Sequence, residues 1–265
     1  MLLYCLLLLL PHGADSGSMP PRRSACAPMN GVPGKRSPAA TMIAPSAAWP
    51  DSRSGSKSVA RTPASRWFAE LLQKELRPWL TLSEEQVRQL WEHYEILLRW
   101  NEKINLTSVP AGEEMVVRHY CESLFFGAHL PVTLGASSII DLGSGAGFPG
   151  IPMTILQPAW HVTLLESHQR KAVFLRESTR GLPNVSVLAR RAESVSGTFD
   201  WLVSRGVDPK AVLKNVPRLA PRVGVMLGED DFSAIQALSH VAWSDLVRLP
   251  WGDRRLCAYG VSRGT

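Results

Sequence analysis

The hydrophobic pattern divides the chain in two. Residues 11–64 are rich in Pro, Gly, Ser and Ala, with Met19-Pro-Pro-Arg-Arg23 and Ser52-Arg-Ser-Gly-Ser-Lys-Ser58, and keep no period of 2 or 3.6. Such a stretch buries too little apolar surface to offset chain entropy, so it is expected to be disordered. From Ser65 the pattern changes. Trp67, Phe68, Leu71, Leu72 and Leu76 recur at helical spacing until Pro78. Ser83 with Gln86 is a capping-box signature opening a second helix, with Leu90, Tyr94, Leu97 and Leu98 on one face. A third helix is predicted over Glu113–Phe126. The period then switches to short apolar runs. Strands are predicted at Ser138–Leu142, His161–Glu166, Val185–Leu188, Phe199–Ser204 and Gly224–Leu227, and Val241–Leu249 with Leu256–Val261 as a closing pair. Helices are predicted around Ile151–Leu156, at Gln169–Thr179 and around Lys210–Val216. This alternation predicts an α/β, doubly wound, mostly parallel sheet behind an N-terminal helical extension. The expected organisation is an extension over 1–64 and one domain over 65–265, comprising a helical cap (65–130) and a Rossmann-like core (136–262).

Composition changes this picture little. The chain of 265 residues is 45% apolar and 20% charged, enough for one well-buried domain. Its net charge of +6 is uneven: residues 1–60 hold six basic and two acidic side chains, the remainder 23 and 21. Global charge alone therefore makes no case for nucleic acid. Cys5, Cys26, Cys121 and Cys257 are far apart, which argues against a disulfide scaffold or thiolate metal site; no metal is expected. The run Met1–Leu10 is too short to span a membrane, which takes about 20 apolar residues. As a signal peptide it has a suitable apolar length and Ala25-Cys26-Ala27 downstream, but no Lys or Arg precedes it. A start set upstream of the true one (Met19, Met29 or Met42), a tolerated tail and a targeting segment all remain open.

Asp141-Leu-Gly143-Ser-Gly145-Ala-Gly147-Phe148-Pro-Gly150 lies between a predicted strand and helix, where α/β sheets bind ligands. The glycines alone fit a dinucleotide or S-adenosylmethionine. Asp141 would repel a pyrophosphate and Pro149 removes an N–H that could hold one, so S-adenosylmethionine is favoured. Glu166, at the end of the second strand, suits two ribose hydroxyls in either ligand. No Asn/Asp-Pro-Pro-aromatic turn for a base amine and no Pro-Cys for a pyrimidine carbon is present. The fourth strand instead ends in Ser204-Arg205, and an arginine cannot abstract a proton at neutral pH. That suits an acceptor already nucleophilic, such as guanine N7, for which the enzyme mainly supplies alignment. Arg205 is the candidate at the reacting centre, and no general base is expected.

Trp100-Asn-Glu-Lys-Ile104-Asn105-Leu-Thr107-Ser108, Arg118-His119 with Ser123, Ile140 through Pro152, Arg191-Ala192-Glu193 and Ser204-Arg205 occur in order between about Glu70 and Val261. In these motifs the chain resembles the bacterial small-subunit ribosomal RNA methyltransferase G family, also called glucose-inhibited division protein B. The resemblance implies a class I, Rossmann-like methyltransferase that methylates N7 of one guanosine in 16S rRNA. It implies that Gly143 and Phe148 line the cofactor, that Ala192 and Glu193 meet its adenosine, and that Arg205 contacts it near the reacting centre. Asn105, Arg118, His119, Arg170, Lys171 and Arg191 match positions facing cofactor or RNA. A cytoplasmic monomer acting on 16S rRNA or a 30S assembly intermediate, without membrane attachment, is expected. The alternatives are a protein or small-molecule acceptor and a catalytically silent assembly factor. In one departure, Leu227-Gly228 and then Glu229-Asp230-Asp231 replace the family's usual Lys-Gly, which is expected to weaken phosphate contact locally.

Overall fold

The computed structural model describes residues 64–131, 137–237 and 240–263. The expectations for the extension before Ala64, the Leu-rich start and the candidate initiator methionines lie outside the described residues.

Three helical stretches come first. In α1 (Arg66–Leu76), Phe68, Leu72 and Leu76 recur every four residues and are buried, each worth about 1.5–3 kcal/mol. The capping box is complete on α2 (Glu84–Asn101): the Gln86 N–H donates to Ser83 Oγ (3.2 Å) and the Ser83 N–H to Gln86 Oε1 (2.9 Å). Gln86 Nε2 also donates to the Ile155 and Leu156 carbonyls, tying α2 to the core. Ser83→Ala is expected to cost about 1 kcal/mol, read as a lower urea midpoint with an unchanged slope.

The predicted third helix is α-helical only at its ends, α3 (Glu113–Met115) and α4 (Glu122–Ala128). Between them Val116–Cys121 is a π-helix, a form common at functional sites. From His119 to Gly127 every residue is buried, so this segment is enclosed on all sides.

The sheet contains β1 (Ser138–Leu142), β2 (His161–Leu165), β3 (Val185–Leu188), β4 (Trp201–Arg205), β5 (Arg222–Gly228), β6 (Val241–Arg248) and β7 (Arg255–Ser262), in the order β3-β2-β1-β4-β5-β7-β6. The first five are parallel; β7 runs antiparallel to β5 and β6, forming the anticipated closing pair. The helices α5 (Gly150–Leu156), α6 (Gln169–Ser178), α7 (Pro209–Leu213) and α8 (Glu229–Gln236) complete the layers. Of these, α8 was not expected from the sequence.

Strand alternation feeds two cores. Ile139, Val162, Leu164, Trp201, Val203 and Met226 pack with the N-terminal helices, α5 and α6. Ile140, Leu142, Leu202, Val223 and Val225 pack with α7 and α8. β4 begins two residues later than expected because Asp200 serves as a staple. Its Oδ2 accepts from both the N–H and hydroxyl of Ser138 at 2.8 Å. The order reverses between β1 and β4, so the crevice for a ligand falls at the carboxyl end of β1.

Candidate active site

The loop after β1 is fixed from beneath by Asp141. Its carboxylate is fully buried, and its Oδ2 accepts from the Gly150 N–H at 3.1 Å, at the first residue of α5. A Cβ at Gly150 would lie 2.4 Å from Leu164 Cδ2 and 2.7 Å from Asp141 Oδ2, so this close approach requires glycine. Burial pushes the Asp141 carboxyl up to about 7, opposed by the nearby Ser144 hydroxyl, which donates to the Asp141 carbonyl, and by the Gly150 N–H on Oδ2. The sequence reading placed this acid next to a ligand's phosphates; the structure puts it under the loop, out of the cleft wall. It nevertheless occupies the first N–H of α5, a donor a pyrophosphate would use.

Above the loop opens a cleft of about 340 Å³. It is lined by Leu142 and Gly143 from the end of β1, Glu166 just after β2, Arg190 to Glu193 after β3, and Val207 after β4. Gly143, Glu166, Arg191, Ala192 and Glu193, all singled out from the sequence, therefore line one cleft. Glu166 Oε2 accepts from the Gly145 N–H (3.0 Å) and Oε1 from the His168 N–H (2.7 Å). These bonds fix the carboxylate while each oxygen keeps a lone pair for a further donor.

Phe148 and Arg205 stand elsewhere. Phe148 is buried and outside that cleft, stacked on His119 (centroids 4.6 Å apart) and edge-on to His93 and Tyr120. Arg205, ending β4 two residues before Val207, donates from Nη1 to His119 Nδ1 (3.0 Å) and lies 3.3 Å from Glu122 Oε2 through Nη2. Burial lowers its guanidinium to about 10, opposed by Glu122, so it remains a cation at neutral pH. His119 Nε2 meets Thr107 Oγ1 at 2.7 Å. With Nδ1 accepting from Arg205, Nε2 carries the proton and the ring is neutral. Burial first, then Arg205 and Arg118, hold its protonation down at about 3. Both nitrogens are thus committed, which disqualifies His119 as a base.

The remaining candidates are dispersed. Arg118 is exposed and pairs with Glu114 at 3.2 Å, an ion pair worth little. Arg170 and Lys171 open α6, the former exposed and the latter half-buried. Asn105 is exposed in a turn that Asn101 organises: Asn101 Oδ1 accepts from Leu106 and Thr107 N–H, and Nδ2 donates to the Thr107 carbonyl. Thr107 then links that turn to His119. Glu122, Val207 and Arg255 carry no local signal in the sequence, whereas Asn101 and Thr107 lie within the Trp100–Ser108 motif, which by itself assigns neither of them a role. The acids that follow Leu227 are largely paired. Glu229 pairs with Arg248 and Arg254, and Asp230 with Arg254 at 2.6 Å, so two of the three acids are compensated. Among the described residues, no group of His, Cys, Asp or Glu is placed to hold a metal, and no helix is long and apolar enough to cross a membrane.

The strand order with its reversed β7, and the glycine loop leading from β1 into a cleft with a carboxylate at the end of β2, define a Rossmann-like, class I methyltransferase fold. Residues 86–227 match the GidB family model, described as rRNA small subunit methyltransferase G, and the chain belongs to that family. Proteins named ribosomal RNA small subunit methyltransferase G are similar to it. That of Nitrosomonas europaea is 43% identical over 121 residues, covering 44% of this chain and 55% of that protein. That of Xylella fastidiosa is 44% identical over 133 residues (49% and 61%), and that of Lactococcus lactis subsp. lactis 37% over 142 (51% and 60%). The chain thus spans between half and two thirds of the length of these relatives. Among solved structures, an S-adenosylmethionine-dependent methyltransferase from Aquifex aeolicus aligns with a TM-score of 0.46 at 13% identity, covering 64% of this chain and 98% of that one.

Proposed function

We propose that the protein transfers a methyl group from S-adenosylmethionine to N7 of a guanosine in 16S rRNA, acting in the cytoplasm as a monomer on the RNA or on a 30S assembly intermediate. The observation that carries this reading is the pairing of the cleft with an arginine, not a base, at the end of β4. Glu166, anchored by two backbone N–H groups, offers lone pairs to two ribose hydroxyls. Ala192 and Glu193 stand where an adenosine would lie beside it, and Gly143 lets the backbone approach. Bound S-adenosylmethionine would supply an electrophilic sulfonium methyl, and guanine N7, whose lone pair is free, needs no deprotonation to accept it. The neighbouring groups fit that requirement: Arg205 stays charged and His119 has both nitrogens engaged. Their work is to align and to exclude water, a contribution of several kcal/mol. Arg191, on the cleft wall, and Arg118, Arg170 and Lys171 are the proposed cations for RNA phosphates, with Asn105 on the loop leading to the site.

The test is methyl transfer from labelled S-adenosylmethionine to 16S RNA and to small subunits, with the product nucleoside identified by mass. Label recovered as 7-methylguanosine is expected. Cofactor binding without label in any RNA would overturn the reading in favour of another acceptor or a silent assembly role.

A further inference from the structure

Glu122, the first residue of α4, is fully buried, yet one oxygen serves two cations. Oε2 accepts from Arg255 Nη2 and lies 3.3 Å from Arg205 Nη2, while Oε1 has no hydrogen-bond partner. Arg255 begins β7 and Arg205 ends β4, strands separated in the sheet by β5. Glu122, on α4, reaches both. A carboxylate buried for charge balance alone would be expected to use both oxygens, because an unsatisfied buried acceptor costs free energy. Here it is drawn to one side, and its contact with Arg205 complements the one that Arg205 makes with His119 Nδ1. The guanidinium is therefore held at two points, Nη1 and Nη2, which fixes its plane.

We propose that Glu122 is a positioning residue: acting through Arg205, with Arg255 as the second cation on its carboxylate, it sets the plane of the Arg205 guanidinium. The functional consequence rests on the reading that Arg205 stands at the methyl-transfer centre; the geometric one does not. Glu122→Gln alone would leave two half-buried arginines without their carboxylate and risks unfolding. The informative variant is Glu122→Gln with Arg255→Met, which removes one charge of each sign and leaves the net charge of the cluster unchanged.

Two readouts separate the outcomes. The first is the ring ¹⁵N spectrum and titration of His119, which faces Arg205 from β4, Arg118 from its own segment and His93 from α2. In the wild type a neutral ring with an unprotonated, hydrogen-bonded Nδ1 is expected. In the folded double variant Arg205 is expected to leave Nδ1, so the tautomer signature changes and the protonation midpoint rises. The second is single-turnover methyl transfer, expected to slow by about tenfold or more. Unchanged His119 signals in the folded double variant would overturn the proposal, and so would wild-type turnover. Should the wild type transfer no methyl group to RNA, the functional reading falls and the His119 signature alone decides the positioning claim. If the double variant fails to fold, Arg255→Met alone takes its place. It should leave Glu122 to Arg205 and keep the His119 signature, and loss of that signature would overturn the proposal.

Discussion

Gly143→Ala is expected to weaken S-adenosylmethionine binding by on the order of a hundredfold, about 2.7 kcal/mol, whereas Gly145→Ala should lose less than about tenfold. Both glycines are left-handed, with φ of +75° and +55°, where a side chain costs about 1–2 kcal/mol. Their surroundings differ. At Gly145 an added Cβ meets nothing closer than the Gly143 carbonyl at 3.7 Å. At Gly143 it would lie 2.4 Å from Val207 Cγ2, on a β-branched side chain with little rotamer freedom. Both residues wall the cleft, so relief requires Val207 to move within it or the loop to lift from β2. Lifting would break the bond from the Gly143 N–H to the Leu165 carbonyl at 2.9 Å. Titration calorimetry on the two folded variants checks this, and equal losses at both positions would refute the steric account.

Features encoded in local spacing are legible in the sequence. Ser138–Leu142 and Val185–Leu188 are short, mostly apolar runs, and their ends coincide with β1 and β3. The Ser83–Gln86 box was readable because both halves lie within one turn. By contrast, α8 buries only Phe232 and Ile235, too few apolar positions to establish a helical period. The π-helix at Val116–Cys121 depends on what encloses it, and no sequence period announces it. The site divides in the same way. Gly143 and Glu166 follow from the strand-loop-helix pattern. Thr107, Glu122 and Arg255 matter only through partners distant in sequence, as in the contact of Arg255 with Glu122 across the sheet. Phe148 sits in the glycine motif, but its ring packs against His119, because the residues that enclose it come from α2 and the π-helix.

Acidification is expected to destabilise the fold through two imidazoles buried in neutral form. Burial depresses His93 to about 4 and, with Arg205 and Arg118, His119 to about 3, against an ordinary value near 6.5. As pH falls below 6.5 the unfolded chain takes up protons that the folded one refuses. The stability these groups contribute is therefore complete above 6.5 and is lost as pH falls toward their folded values. Asp141, raised to about 7, has the opposite sign: its folded form retains a proton between about 4 and 7, so its contribution diminishes as pH rises. Glu122, raised mainly by burial, acts in the same direction as Asp141. One imidazole is isolated by changing it together with its partner. Tyr120 Oη and His93 Nδ1 are 2.8 Å apart, and replacing both residues by Phe leaves no orphaned group from that bond. Between pH 6.5 and 4.5 the wild type should lose roughly 2 kcal/mol more than His93→Phe/Tyr120→Phe, measured by urea unfolding at each pH. An undiminished acid slope in the variant would mean that His93 already accepts a proton in the folded state. The contact of its ring with Phe148, and hence the support of the glycine loop, would then have to accommodate a cation.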